Sequence, residues 1–119
     1  MARIPASDVI ERVWYPGLES HPGHEIAARQ MHGGFGGIVS VQLAAGAEAA
    51  KHFVDHTQIF TLAESLGGVE SLIEVPAAMT HASVAGTTLQ VPANLVRISV
   101  GIENADDLIA DLKQALDRI

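Results

Sequence analysis

The sequence predicts an α/β fold, a two-layer sandwich in which a mixed or antiparallel sheet is covered by helices on one face. Three observations carry this expectation. β-Branched runs alternate with helix-period runs along the chain, and Pro, Gly and Asn punctuate the junctions. Hydrophobic residues make up 48% of the 119 positions but aromatics only 4%, so the core must be built from Leu, Ile, Val and Ala. The final segment has a helical apolar stripe that needs a sheet to cover.

From the N-terminus, Ser7-Asp-Val-Ile-Glu-Arg12 predicts a short helical piece, with a capping residue in front. Arg12-Val-Trp-Tyr-Pro-Gly17 follows as a β-like run closed by Pro-Gly, because proline presets φ and glycine accepts positive φ. His21 to Met31 predicts a helix with Pro22 in its first turn, ended by the glycine-rich His32 to Gly37. Gly37 to Leu43 alternates as a strand. Ala47 to His56 predicts an Ala-rich helix with Ala50, Phe53 and Val54 on one face.

Gln58 to Leu62 and Glu70 to Val75 are the next strands, the second stopped by Pro76, which cannot donate to a ladder. Met79 to Asn94 lacks any period and is expected as a loop, and Leu95 to Val100 is strand again. Asn104 to Leu116 is the clearest helix. Leu108, Ile109, Leu112, Leu116 and Ile119 share its apolar face, and Asn104, Asp106 and Asp107 suit the positive end of its dipole.

Composition narrows the function classes. A net charge of -7 offers no basic face for a phosphate backbone, so no nucleic-acid partner is expected. No run approaches the roughly 20 apolar residues that span a bilayer, and Met1-Ala-Arg-Ile-Pro5 lacks a secretory signal, so the expected location is the cytoplasm. With no cysteine there is no disulfide framework and no thiolate chemistry.

Two stretches stand apart chemically. Leu62-Ala-Glu-Ser-Leu-Gly-Gly-Val-Glu-Ser-Leu72 mixes small, charged and apolar residues in a way no core strand would choose, and resembles the wall of a site. Leu95-Val-Arg-Ile-Ser-Val-Gly-Ile-Glu103 is β-branched with one arginine inside it. A guanidinium among apolar neighbours is costly to bury without an anion, so Arg97 needs one, and Ser65 is the first candidate for helping to hold it. Other signals are weaker. His52 and His56 are four apart on a helix, yet a zinc site needs three or four ligands, so no metal is expected. The Gly33 to Gly37 cluster precedes a strand, whereas a nucleotide fingerprint follows one. His21, His24 and His81 have no nucleophile constellation.

The elements Tyr15-Pro-Gly-Leu18, His21-Pro22, Gln30-Met31, Phe35-Gly-Gly37, Ala63 to Leu72, Pro76, Met79-Thr-His81 and Leu95 to Glu103 occur in a telling order and spacing. In these the chain resembles the C-terminal domain of the Cys/Met-metabolism family of pyridoxal-phosphate (PLP) enzymes, which includes cystathionine γ-synthase, cystathionine γ-lyase and methionine γ-lyase. The resemblance runs from about Val13 onward. The turn Gln30 to Gly37 is about one residue longer than in that family, and the loop His81 to Asn94 a few residues shorter.

The resemblance implies the small domain of a fold-type I PLP enzyme, a single substrate-clamp domain over residues 1–119, with the large PLP-binding domain absent from this chain. It implies that Arg97 grips the substrate's α-carboxylate with two prongs, that Ser65 adds a contact through backbone or hydroxyl, and that Glu64 meets a distal ammonium group, which tilts toward the cystathionine enzymes. PLP is the cofactor of such a parent, held by a lysine. Lys51 and Lys113 are the only lysines here, and neither has the family's context, so no covalent PLP and no catalytic residue are expected and the chain alone should be inert. A face that normally packs on the large domain would leave an apolar patch, so the expected partners are that domain and further copies of the chain. A freestanding α/β binding or assembly module built on the same fold is the alternative.

Overall fold

The computed structural model describes residues 8–79, 86–88 and 90–119. Five strands form one sheet: β1 (Ile10–Trp14), β2 (Ile38–Leu43), β3 (Thr61–Leu62), β4 (Leu72–Glu74) and β5 (Leu95–Ser99). Their order across the sheet is β1-β2-β5-β4-β3. Every pairing is antiparallel except β3 with β4, so the sheet is mixed. The helices are α1 (His24–Gln30), α2 (Ala47–His56), α3 (Pro76–Met79) and α4 (Ala105–Leu116).

Alternation along the strands divides the sheet into two faces. Val39, Val41 and Leu43 of β2, Val96 and Ile98 of β5, and Ile73 of β4 are buried in the core with Ala50, Phe53 and Val54 of α2 and Leu108, Leu112, Ala115 and Leu116 of α4. Because strand side chains alternate, Ser40, Gln42, Leu95, Arg97, Ser99 and Glu74 belong to the other face. The predicted α/β two-layer sandwich is therefore present, with α2 and α4 packed on each other and α2 lying on β2 and β5.

Two of the predicted helices form as the sequence requires. α2 has the predicted bounds. α4 starts after Asn104, whose side-chain oxygen accepts from the Asp107 backbone N–H at 3.1 Å, and its first turn carries Asp106 and Asp107.

Four local expectations change. Residues 8–12 do not begin a helix: β1 covers Ile10–Trp14 as one strand, paired Val13 to Val41 and Trp14 to Ser40. Pairing with β2 and burial of Val9, Ile10 and Val13 against the core outweigh a lone capping signal. α1 starts at His24, so Pro22 and Gly23 lie in the turns before it rather than in its first turn. The Gln58 to Leu62 strand shrinks to Thr61–Leu62, because the backbone N–H groups of Gln58, Ile59 and Phe60 are taken by the Asp111 carboxylate. Pro76 both stops β4 and opens α3, which takes in Met79; proline suits a first helical position, where its missing N–H has no partner to lose. Of the predicted loop from Met79 to Asn94, residues 80–85 and 89, including His81, lie outside the described residues.

Candidate functional site

The two conspicuous sequence stretches meet on the face of the sheet turned away from α2 and α4, named the open face for that reason although Glu74 and Ser99 on it are buried. Trp14 pairs with Ser40, Ser40 with Arg97 and Arg97 with Glu74, so these four residues form one row across β1, β2, β5 and β4. At one end, Trp14 is covered by the Arg12 guanidinium, 3.6 Å from its ring centroid, and its indole N–H donates to Gln42 at 2.9 Å. At the other end is an ion pair.

Arg97 Nη2 lies 3.1 Å from Glu74 Oε1; the arginine side chain is 16% exposed and the glutamate 1%. The same nitrogen donates to the backbone carbonyls of Glu64 at 3.3 Å and Ser65 at 3.4 Å. The structure thus brings together Arg97, Glu64 and Ser65. Both turn residues contact the guanidinium through main-chain oxygen, and their side chains are exposed. Among the described residues, Nε and Nη1 of Arg97 make no hydrogen bond.

Glu74 is the residue of this row that the sequence reading missed. The anion that Arg97 required is already present in the protein, on the neighbouring strand. Its signal was available: Glu74 is a single acid inside Leu72-Ile-Glu-Val75, the counterpart of a single arginine inside Leu95 to Val100. What linked the two was the β4–β5 register.

A second network holds the 64–72 segment over β5. Glu103 accepts from the Ser71 hydroxyl at 2.7 Å and the Ser71 N–H at 2.9 Å, and the Ser71 hydroxyl accepts from Gly101 N–H at 2.8 Å. Ile102 N–H reaches Val69 O at 2.9 Å, and Gly67 N–H donates to the Ser99 hydroxyl at 2.8 Å. The two backbones come so close that a Cβ on Gly101 would collide with Val69 O, while Gly67 supplies a φ of +80°. The Ser71 hydroxyl, and then its N–H, hold the Glu103 carboxyl below the ordinary glutamate range, against a smaller opposing effect of burial.

The remaining candidates are not drawn into this site. His52 and His56 stack at 4.1 Å on α2, with His56 Nδ1 against His52 O at 2.6 Å. Among the described residues no three His, Cys, Asp or Glu side chains are grouped to hold a metal. His24 contacts Pro16 O, and His21 lies edge-on to Trp14. A shallow groove of about 370 Å³ beside Gln58, Asp107 and Gln114 includes Asp111, whose oxygens are already engaged by backbone N–H groups. Among the described residues no helix is long and apolar enough to cross a membrane.

The residues present do not make a PLP site. Lys51 is exposed on α2 with its ammonium 3.6 Å from Glu48, and Lys113 is exposed in the last turn of α4. Both stand on the helical layer, whereas Arg97 is on the open face of the sheet. No reaction step through that cofactor follows from this chain's own residues.

Comparison with known proteins agrees with the residues that carry the resemblance. The family model for Cys/Met metabolism PLP-dependent enzyme matches residues 4–117. Cystathionine gamma-synthase of Mycobacterium leprae is 64% identical over 108 residues, which is 91% of this chain and 28% of the relative. Cystathionine beta-lyase of Lactococcus lactis subsp. cremoris is 51% identical over 118 residues, 97% of this chain and 30% of the relative. Among solved structures, metB from Corynebacterium glutamicum superposes with a TM-score of 0.91 at 58% identity, covering 94% of this chain and 29% of that one. Cystathionine gamma synthase from Xanthomonas oryzae pv. oryzae, in complex with aminoacrylate and cysteine, gives 0.83 at 47% identity, covering 97% and 30%. The chain therefore spans less than a third of each of these relatives, and it belongs to the family of Cys/Met metabolism PLP-dependent enzymes.

Proposed function

We propose that this chain is the C-terminal, substrate-clamping part of a PLP-dependent transsulfuration enzyme of the cystathionine γ-synthase or γ-lyase type, and that Arg97 binds the substrate's α-carboxylate. The observation that carries this reading is the state of the guanidinium. It is 16% exposed at the lip of the open face, is held through Nη2 alone, and keeps Nε and Nη1 without a hydrogen bond among the described residues. A planar fork with spare donors suits a carboxylate. The carbonyl contacts at 3.3 and 3.4 Å are long, so one oxygen of an incoming carboxylate can displace them as acceptor at Nη2 while the other accepts from Nη1.

Glu64, whose main-chain carbonyl touches that fork and which is exposed, would meet the ammonium at the far end of a cystathionine-like substrate with its carboxylate. Ser65 contributes its main chain to the wall. The lysine and phosphate cradle belong to the large PLP domain, outside these 119 residues, and the chain by itself is inert. Leu66, Val69 and Ile102 are 52%, 69% and 81% exposed on the loops joined by the Ile102–Val69 bond, a patch suited to packing against that domain or a second copy. The working compartment is the cytoplasm, a reading supported by the family's metabolic role and the absence of cysteine.

Titration of the chain with L-cystathionine, followed by NMR of the arginine side chains, tests the clamp. The Arg97 Nε–H resonance is expected to shift on binding. R97K keeps the charge opposite Glu74 but loses the fork, and should weaken binding about tenfold. Equal affinity in R97K, or saturable binding that leaves Arg97 unperturbed, would refute the assignment.

A further inference from the structure

We infer that Glu74 is a positioning residue: from the adjacent strand it fixes the guanidinium of Arg97 in the orientation that presents the spare donors. This rests on the carboxylate-clamp reading for its functional meaning, though not for its geometry. Glu74 and Arg97 are direct partners in the antiparallel β4–β5 register, so both project from the same face of adjacent strands. The acid is 1% exposed and the cation 16%, which puts the carboxylate under the guanidinium and the guanidinium at the rim.

The form of the contact matters as much as its presence. A two-pronged ion pair would use up an edge of the fork and leave arginine as a structural element. Here one carboxylate oxygen meets one nitrogen, Oε1 to Nη2 at 3.1 Å, and Nε and Nη1 are left over among the described residues. The other acceptors on Nη2 are neutral carbonyls of a loop at 3.3 and 3.4 Å, so the charged anchor comes from the sheet.

Glu74 is also poorly able to let go. Pulling Arg97 away would break an ion pair whose carboxylate is only 1% exposed, which is a large penalty. An incoming carboxylate therefore adds to the pair and exchanges with the weak loop carbonyls, while the Glu74 contact persists. Arginine on its own has a long flexible stem, and holding it in advance removes an ordering cost of about 0.5–1.5 kcal/mol from binding, a factor of about 2 to 12 in affinity.

The test uses the chain as wild type, E74Q and E74D. E74Q is nearly isosteric and removes the charge; E74D keeps the charge and withdraws it by one methylene. Hydrogen exchange at Arg97 Nε–H and rotation about its Nε–Cζ bond are measured first without ligand, and then L-cystathionine is titrated. We expect the guanidinium to exchange and rotate several-fold faster in E74Q, with E74D in between, and E74Q to bind about 2- to 12-fold more weakly. Unchanged exchange and rotation in both variants would overturn the positioning role, and so would tighter binding in E74Q, which would make Glu74 a resident competitor. If E74Q does not fold, E74D decides alone: a guanidinium as restrained as in wild type sinks the inference. If wild type binds no L-cystathionine, the clamp reading fails, and the ligand-free measurements still decide whether Glu74 positions Arg97.

Discussion

The two faces of the sheet treat a buried carboxylate in opposite ways. On the helical side, Asp111 is 4% exposed and accepts from the backbone N–H groups of Gln58 at 2.7 Å, Ile59 at 2.7 Å and Phe60 at 3.1 Å, with the Gln114 side-chain amide at 3.1 Å. On the open side, Glu74 is equally hidden but is met by a cation that, among the described residues, still has donors to offer. Asp111 ends its network inside the fold; Glu74 passes its charge to a group at the surface. A saturated buried acid serves architecture, and it is the other acid, whose partner keeps donors among the described residues, on which the proposed carboxylate clamp rests.

The sharpest way to test this contrast is to remove the saturated acid. D111A leaves three successive backbone N–H groups without their acceptor in a partly buried segment, and should destabilise the fold by about 3 kcal/mol in urea unfolding. Carboxylate binding by the molecules that remain folded should be unchanged, because Asp111 lies on the other side of the sheet from Arg97. A loss of binding without a loss of stability would reverse the assignment of the two faces.

A middle-sized effect is expected at the clasp between the two motifs. S71A removes the hydroxyl that both donates to Glu103 and accepts from Gly101, and should cost about 1.5 kcal/mol near neutral pH. The pH dependence has a definite sign. Glu103 is held below its ordinary range when folded, so its contribution is complete above the unfolded glutamate value of about 4.3 and is lost as pH falls through the lower folded value. The stability gap between wild type and S71A should therefore narrow as the solution is acidified through that window. A gap that widens with acid would contradict the assignment of Ser71 as the principal partner of Glu103.

The smallest change concerns Ser65. Its contact with Arg97 runs through the carbonyl, and its side chain is exposed, so S65A should alter stability by less than about 0.5 kcal/mol and leave the Arg97 Nε–H resonance where it was. A displaced resonance would show that the hydroxyl, and not the main chain, forms the wall.

Much of this arrangement is legible in residue order. The Leu108, Leu112 and Leu116 stripe of α4, the Ala-rich α2 and the alternation in β2 and β5 follow from local periodicity, since each element shows its apolar face within a few residues. The motifs around Ser65 and Arg97 likewise stand out as runs that no plain core strand would use. Residues 8–12 mislead because a capping signal is local while the pairing that wins is with a strand some 30 residues away. Gln58 to Phe60 mislead for a related reason: their N–H groups go to a side chain 51 to 53 positions later instead of to a strand.

By itself, then, the order of residues determined the α/β class, the long helices, the inner strands and the membership in a family of PLP enzymes, because periodicity and motif spacing are properties of neighbours along the chain. Only the tertiary structure decided that Arg97 already has an anion, that this anion is Glu74, and that Asp111 is an internal cap. A buried charge must find its partner in space, and the β4–β5 register and the packing of α4 beside Gln58 set those distances.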